Sequence, residues 1–202
     1  MDYWRTSFKF PEKLIKAFLS VPREEFIEPE FLASAYGDYP LPIPAGQTIS
    51  QPTTVMIMIK SLELKQTDIV LEVGAGSGYC AAIMSRLCRK VITTEIIPEL
   101  AAYAKNNLKK LRIQNVNVVE YDGSQGYKKE APYDKIMVTA ACPSIPPPLV
   151  DQLKVNGIIV APVGAEFGQE MIRLKKAKSG NNSESLGCFN FVPLKGKFGY
   201  GD

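Results

Sequence analysis

One segment, Leu71-Glu72-Val73-Gly74-Ala75-Gly76-Ser77-Gly78, constrains the fold more than any other. An apolar run breaks into three glycines within five residues and opens directly into a helical pattern. Glycine lets a backbone turn tightly and approach a ligand at a helix start, and three of them exceed what a plain strand-to-helix turn requires. Around this loop the period alternates. Strands are expected over 69–73, 91–95, 116–121, 134–139 and 158–163, with helices over 79–88, 98–111 and 147–153 and a turn at Asn156-Gly157. Such a β-α-β-α series predicts an α/β fold, a doubly wound and mostly parallel sheet with right-handed crossovers and its ligand at the carboxyl ends of the strands.

The flanks follow other rules. Leu14, Ile15, Phe18 and Leu19 recur at helical spacing over 11–21, and 24–32 reads as a second short amphipathic helix. The run from Tyr39 to Pro52 holds four prolines and a glycine, which predict an extended loop crossing the surface. A helix over 53–62 should turn Val55, Met56, Ile59 and Leu62 inward. Past the parallel series, 170–176 and 186–194 read as strands joined at Ser179-Gly180-Asn181-Asn182, a C-terminal antiparallel hairpin whose Lys175, Lys176 and Lys178 form a solvated edge. The expected organisation is one domain: a helical and loop region over 1–62, a cofactor-binding core over 63–164 and C-terminal strands over 165–202.

Histidine is absent from all 202 residues. That excludes Ser-His-Asp and Cys-His hydrolases, His-based zinc enzymes and any imidazole proton shuttle. Lys and Arg exceed Asp and Glu by 24 to 21, a net charge of +3 that falls short of a phosphate-backbone binder, so no nucleic-acid partner is expected. Cys80, Cys88, Cys142 and Cys188 include no C-x-x-C pair, which argues for free thiols in a reducing compartment and for no metal. The N-terminal residues open polar, and no apolar run approaches the ~20 residues of a membrane span, so a cytoplasmic protein with no membrane partner is expected.

Two details choose the ligand of the glycine loop. The dinucleotide fingerprint wants its third glycine one residue later than Gly78, and Glu72 stands two residues before Gly74. A carboxylate beside a pyrophosphate meets a charge of its own sign, whereas an ammonium or sulfonium group attracts it. S-adenosyl-L-methionine is therefore the expected cofactor, held by Glu72, Gly74, Ala75, Gly76 and Gly78, and a nicotinamide oxidoreductase is disfavoured. Glu95, with Ile96 next to it, ends the second strand 17 residues after Gly78, where a carboxylate can accept from both ribose hydroxyls. Asp122-Gly123 ends the third, an acid for the adenine amino group and a glycine admitting the ring. Any one of these acids could be a helix cap or a solvated loop residue; three at successive strand ends argue together for a ligand.

Further segments extend the pattern: Val21-Pro22-Arg23-Glu24-Glu25-Phe26, the run Leu41 to Pro52 containing Gly46-Gln47-Thr48-Ile49-Ser50-Gln51-Pro52, Ala131-Pro132-Tyr133-Asp134, Leu149 to Leu153, and Phe191-Val192-Pro193-Leu194. With them the chain resembles the protein-L-isoaspartate O-methyltransferase family over nearly its whole length. The resemblance implies a class I methyltransferase sheet with N-terminal helical additions and the last two strands in an unusual order. It also implies methylation of the α-carboxylate of L-isoaspartyl residues in damaged proteins and peptides, with Ser50 at the catalytic position and Thr48 and Ile49 beside it. Since such an enzyme must accept many flanking sequences, the loop 39–52 and the segment 191–194, with Val192 and Pro193, are the expected two walls for the peptide. Ser50 has a competing structural role as N-cap of the helix that follows, compatible with the first. Many members carry a histidine near this loop where this chain has Pro44-Ala45 and Thr53-Thr54.

The implied reaction needs no imidazole. A carboxylate of ordinary pKa, about 3.9, is already ionised at neutral pH. Ser50 would orient it by a hydrogen bond and has no base to activate it as a nucleophile. A nucleic-acid base methyltransferase would carry Asn or Asp before Pro-Pro-aromatic after the fourth strand of the core, where this chain has Thr139-Ala140-Ala141-Cys142-Pro143. A cofactor-binding module that only scaffolds a partner is the non-enzymatic alternative.

Overall fold

The computed structural model describes residues 2–166 and 168–200. In chain order the elements are α1 Asp2–Thr6, α2 Glu12–Leu19, β1 Leu41–Ile43, β2 Gln47–Ile49, α3 Pro52–Leu62, β3 Ile69–Val73, α4 Tyr79–Ser85, β4 Lys90–Glu95, α5 Pro98–Lys110, β5 Val116–Glu120, β6 Tyr133–Val138, α6 Pro147–Gln152, β7 Leu153–Gly164, β8 Gln169–Lys175 and β9 Asn182–Phe189.

The inner strands of the sheet are largely apolar on both faces, and that decides the layering. Val70, Val91, Met137, Ile158 and Val160 share one core with the buried side chains of α2, α3, α4 and α5. Their neighbours Leu71, Val73, Ile92, Ile136, Val138 and Ile159 turn to the opposite face, where Leu149 of α6 and Leu194 of the tail cover them. Full burial of such a side chain contributes roughly 1.5–3 kcal/mol, so a slip of one residue in β3 would expose one core and crowd the other. The large sheet runs β5-β4-β3-β6-β7-β8-β9. β3 pairs parallel with β4 and β6, β4 with β5, and β6 with β7. β8 and β9 are then added antiparallel in chain order, which closes the sheet with the expected hairpin.

Several elements differ from the sequence reading. The expected loop 39–52 folds into an antiparallel hairpin, with Leu41 opposite Ile49 and Ile43 opposite Gln47 around a 3-10 turn at Pro44–Gly46. Its prolines sit where no ladder bond is lost, and Leu41, Ile43 and Ile49 are buried beneath it. The expected second helix is two 3-10 turns, Arg23–Phe26 and Pro29–Ser34, split because proline restricts the residue before it to extended backbone. Of the four residues at helical spacing in the first segment, Leu14, Ile15 and Phe18 are buried and Leu19 is 59% exposed. α4 stops at Ser85, α6 passes directly into β7, and Asn156-Gly157 is a bulge within that strand: Tyr133 pairs with Leu153 but Lys135 with Ile158. The final expected strand ends at Phe189, and residues 191–194 leave the sheet edge to run beside the end of β6, the Leu194 N–H donating to Ala141 O at 2.7 Å.

Candidate active site

The glycine loop is held from below by its neighbours. Thr94 O accepts the N–H groups of Gly74 and Ala75 at 2.9 and 3.0 Å, and Thr139 Oγ1 donates within reach of Gly74 O at 2.5 Å and Val73 O at 3.0 Å. Gly74 has φ +98°, and a Cβ there would stand 2.5 Å from Thr139 Oγ1, so only glycine lets β6 approach this closely. The carboxylate of Glu95 completes the loop: Oε2 accepts Gly76 N–H at 2.9 Å and Oε1 accepts Ile97 N–H at 3.1 Å. Each oxygen keeps lone-pair capacity for a further donor.

Glu72 is one of four buried residues with unpartnered polar side-chain atoms among the described residues, with Arg23, Tyr79 and Thr93, and the one of the four that brings an acid to the glycine loop. It is 0% exposed, and neither carboxylate oxygen finds a hydrogen-bond partner among the described residues. Burial pushes its pKa up to about 8, the nearby Thr93 hydroxyl opposing the rise and the Glu95 charge adding to it. A buried carboxyl that is left without a donor costs free energy unless a ligand supplies one. An ammonium group would do so, and its charge, or that of a sulfonium nearby, would draw Glu72 back to its ionised form. The residues present thus fit S-adenosyl-L-methionine.

The hairpin of β1 and β2 lies across this loop, with Ile43 Cδ1 3.5 Å from the Cβ position of Gly76. Gln47, Thr48, Ile49 and Ser50 form one wall of a cleft, and Val192 to Lys195 form part of another. Between them lie Glu72, Gly74 to Ser77, Glu95 to Ile97, Gly123 and the end of β6 at Thr139 and Ala140. The space between these walls, counted out to its open mouth, is about 780 Å³.

A model of the family described as protein-L-isoaspartate(D-aspartate) O-methyltransferase (PCMT) matches residues 5–199. The chain belongs to the protein-L-isoaspartate O-methyltransferase family. Among relatives of that name, one from Methanoculleus marisnigri is 46% identical over 189 residues, covering 94% of this chain and 86% of its own. One from Archaeoglobus fulgidus is 48% identical over 200 residues, covering 97% and 91%. A solved protein-L-isoaspartate O-methyltransferase superposes with a TM-score of 0.90 at 29% identity over 98% of this chain, which spans only 65% of that longer one. A structure from Plasmodium falciparum, described as a PCMT in complex with S-adenosyl-L-homocysteine, gives 0.81 at 26% identity over 96% and 95% of the two chains.

Set against this family's expected site, most of the named residues converge. Thr48, Ile49, Ser50, Glu72, Gly74, Ala75, Gly76, Glu95, Ile96, Gly123, Val192 and Pro193 all line the one cleft. Two expected cofactor residues do not. Gly78 has φ +87° and packs against α5, a Cβ there standing 3.3 Å from Leu108 Cγ and 3.4 Å from Ala104 Cβ. Asp122 lies outside the lining, its carboxylate occupied by Ser124, Gln125 and Lys197. Ser50 is not the N-cap of α3, a position that falls to Gln51. Sequence reasoning missed Tyr79, Cys80, Leu100, Thr139, Ala140 and Lys195 as lining residues. The rule that ligands sit at strand ends pointed to Thr139 and Ala140; no local signal marked Lys195.

Proposed function

We propose that this chain transfers a methyl group from S-adenosyl-L-methionine to the α-carboxylate of L-isoaspartyl residues in damaged proteins and peptides. The observation that carries the reading is the meeting, in one cleft, of the Thr48-Ile49-Ser50 wall with the orphaned Glu72 carboxylate and the Val192-Pro193 wall. Bound there, the cofactor supplies an electrophilic sulfonium methyl group. Glu72 meets its positive charge, Glu95 offers acceptors for ribose hydroxyls, and Gly123 leaves room where a Cβ would strike Val73 Cγ1 at 2.8 Å and Thr94 Oγ1 closer still. Ser50, half-buried, orients the substrate carboxylate with its hydroxyl; no lysine or arginine stands among the cleft residues to neutralise that anion except Lys195 at the exposed lip. The carboxylate is ionised already, so what the protein contributes is alignment and partial removal of water.

Several finer readings accompany this one. Residues 1–62 would carry the substrate wall, 63–164 the cofactor and 165–202 the second wall, as one working unit. The four cysteines are free thiols, which supports a reducing cytoplasmic setting. No helix among the described residues is long and apolar enough to cross a membrane. Isoaspartyl proteins and peptides are the partners this reading needs, and nucleic acid is not.

The test is the chemical nature of the product. Incubation with methyl-labelled cofactor and an isoaspartyl peptide should give a carboxyl methyl ester, released as volatile label under mild alkali. Label that stays on the peptide under alkali would place the methyl group on nitrogen or another stable site and refute the reading.

A further inference from the structure

The first turn of α3 is closed by a residue from another loop. Neither Gln51 nor Ser50 caps it with a side chain among the described residues. Instead Asp38 Oδ1 accepts the Thr53 N–H at 2.9 Å, and Asp38 Oδ2 accepts the Thr53 hydroxyl at 2.8 Å. Thr53 Oγ1 in turn accepts the indole N–H of Trp4 at 2.9 Å. Three segments thus meet at one hydroxyl: α1, the loop before β1 and the start of α3. Thr53 is 6% exposed, so water has little access to replace a lost partner.

The position matters because only Ser50 and Gln51 separate β2 from α3. Where α3 begins therefore fixes where Ser50 stands. Serine is itself a favoured capping residue, and a helix start with an open N–H draws a nearby hydroxyl. With Asp38 in place, that N–H is satisfied and Ser50 remains among the residues lining the cleft.

We propose that Asp38 is a positioning residue for methyl transfer: through Thr53 it caps α3 in place of Ser50 and, with Trp4, fixes the hairpin wall on which Ser50 sits. The proposal rests on the isoaspartyl methyltransferase reading above. Asp38 touches neither reacting group and acts only through Thr53.

The test compares wild type with Asp38→Ala, Asp38→Asn and Thr53→Val. Each is assayed for kcat and KM on an isoaspartyl peptide, for S-adenosyl-L-homocysteine affinity by calorimetry, and for the emission of Trp4, the single tryptophan of the chain. Asp38→Ala should lower kcat about tenfold or more, the scale of a small misplacement at a reacting centre. It should also shift Trp4 emission while leaving cofactor-product affinity within about twofold, since the cofactor wall is untouched. Asp38→Asn should recover most of the lost kcat, because its oxygen can accept the Thr53 N–H and its amide can donate to Thr53 Oγ1. Should Asp38→Ala fail to fold, Thr53→Val carries the test, with a fall in kcat at retained product affinity expected. Unchanged kcat in the folded variants, or loss of kcat in strict parallel with product affinity, would overturn the role of Asp38. A wild-type protein that binds S-adenosyl-L-homocysteine yet never methylates the peptide would overturn the functional reading itself, and this proposal with it.

Discussion

The Asp122 carboxylate, expected at the adenine amino group, accepts the backbone N–H of Lys197 at 3.0 Å. Its other bonds go to the Ser124 N–H at 3.0 Å, the Ser124 hydroxyl at 2.6 Å and the Gln125 amide at 3.0 Å. Lys197 follows Leu194 by three residues, and Leu194 is tied to Ala141. The cleft wall over 192–195 is therefore anchored at Ala141 and again at Asp122.

Releasing the second anchor should loosen that wall. Asp122→Ala is expected to raise KM for an isoaspartyl peptide several-fold and to lower stability by about 1–3 kcal/mol, the cost of stranding charge-assisted donors. Peptide kinetics and denaturant unfolding check both. The pH dependence has a fixed sign. Burial alone would raise the Asp122 pKa, but its hydrogen bonds from Lys197, Ser124 and Gln125 hold it below the ordinary carboxylate value. A depressed carboxyl contributes stability above its unfolded pKa and loses it as pH falls, so the stability gap between wild type and Asp122→Asn should narrow below about pH 4.

Glu72 should behave in the opposite sense. Its folded pKa is raised to about 8 by burial, so the ligand-free protein favours the protonated form and loses stability as pH rises from the ordinary carboxyl range through about 8. Glu72→Gln removes that loss. In thermal or denaturant unfolding of ligand-free protein, the variant should gain on wild type by roughly 2–3 kcal/mol between pH 6 and 8 and by little more above that. The same variant should bind S-adenosyl-L-methionine at least about tenfold more weakly at pH 8, because the counter-charge is gone. A constant stability gap across this range would refute the assignment of the titrating group.

Two glycines separate packing from ligand space. Gly123→Ala drives a Cβ toward Val73 Cγ1, 2.8 Å away, at the cleft floor, and should lower cofactor affinity as well as stability. Gly78→Ala strains a positive φ against α5, outside the cleft, and should cost about 1–2 kcal/mol in unfolding with product affinity nearly unchanged in the folded fraction. Calorimetry with S-adenosyl-L-homocysteine distinguishes the two.

Ser50→Ala should lower kcat with cofactor affinity retained, since Ser50 lies on the hairpin wall and the cofactor residues lie on the loop it faces. A loss of about tenfold or more in kcat/KM is expected for a hydrogen bond to a charged group. Equal loss of cofactor binding would contradict the role given to its hydroxyl.

The parallel core was legible because it obeys a single rule. Ile69 to Val73 is apolar on both faces except at Glu72, Gly74 breaks it, and Pro98 opens α5 in its first turn. The same local signals misled over 39–52, where Pro40, Pro42 and Pro44 hide a hairpin whose bonds lie between them. Glu72 and Glu95 could be placed by counting from the loop. That Gly78 and Asp122 lie outside the cleft lining could not be read locally, because what they meet, Leu108 and Lys197, lies 30 and 75 residues further along the chain. Lys195 enters the cleft only because the tail crosses back to Ala141, a long-range contact that no spacing encodes. Asp38 was invisible for the same reason: its partner Thr53 is 15 residues away, across the hairpin.

The most direct measurement is a paired assay of methyl transfer to an isoaspartyl peptide and to its twin of identical sequence with normal aspartate. A cleft built to align one carboxylate between the Ser50 and Val192 walls should methylate the isoaspartyl peptide and leave the twin at background. Equal rates on both peptides would contradict isoaspartyl recognition, while leaving the cofactor site and the fold as described.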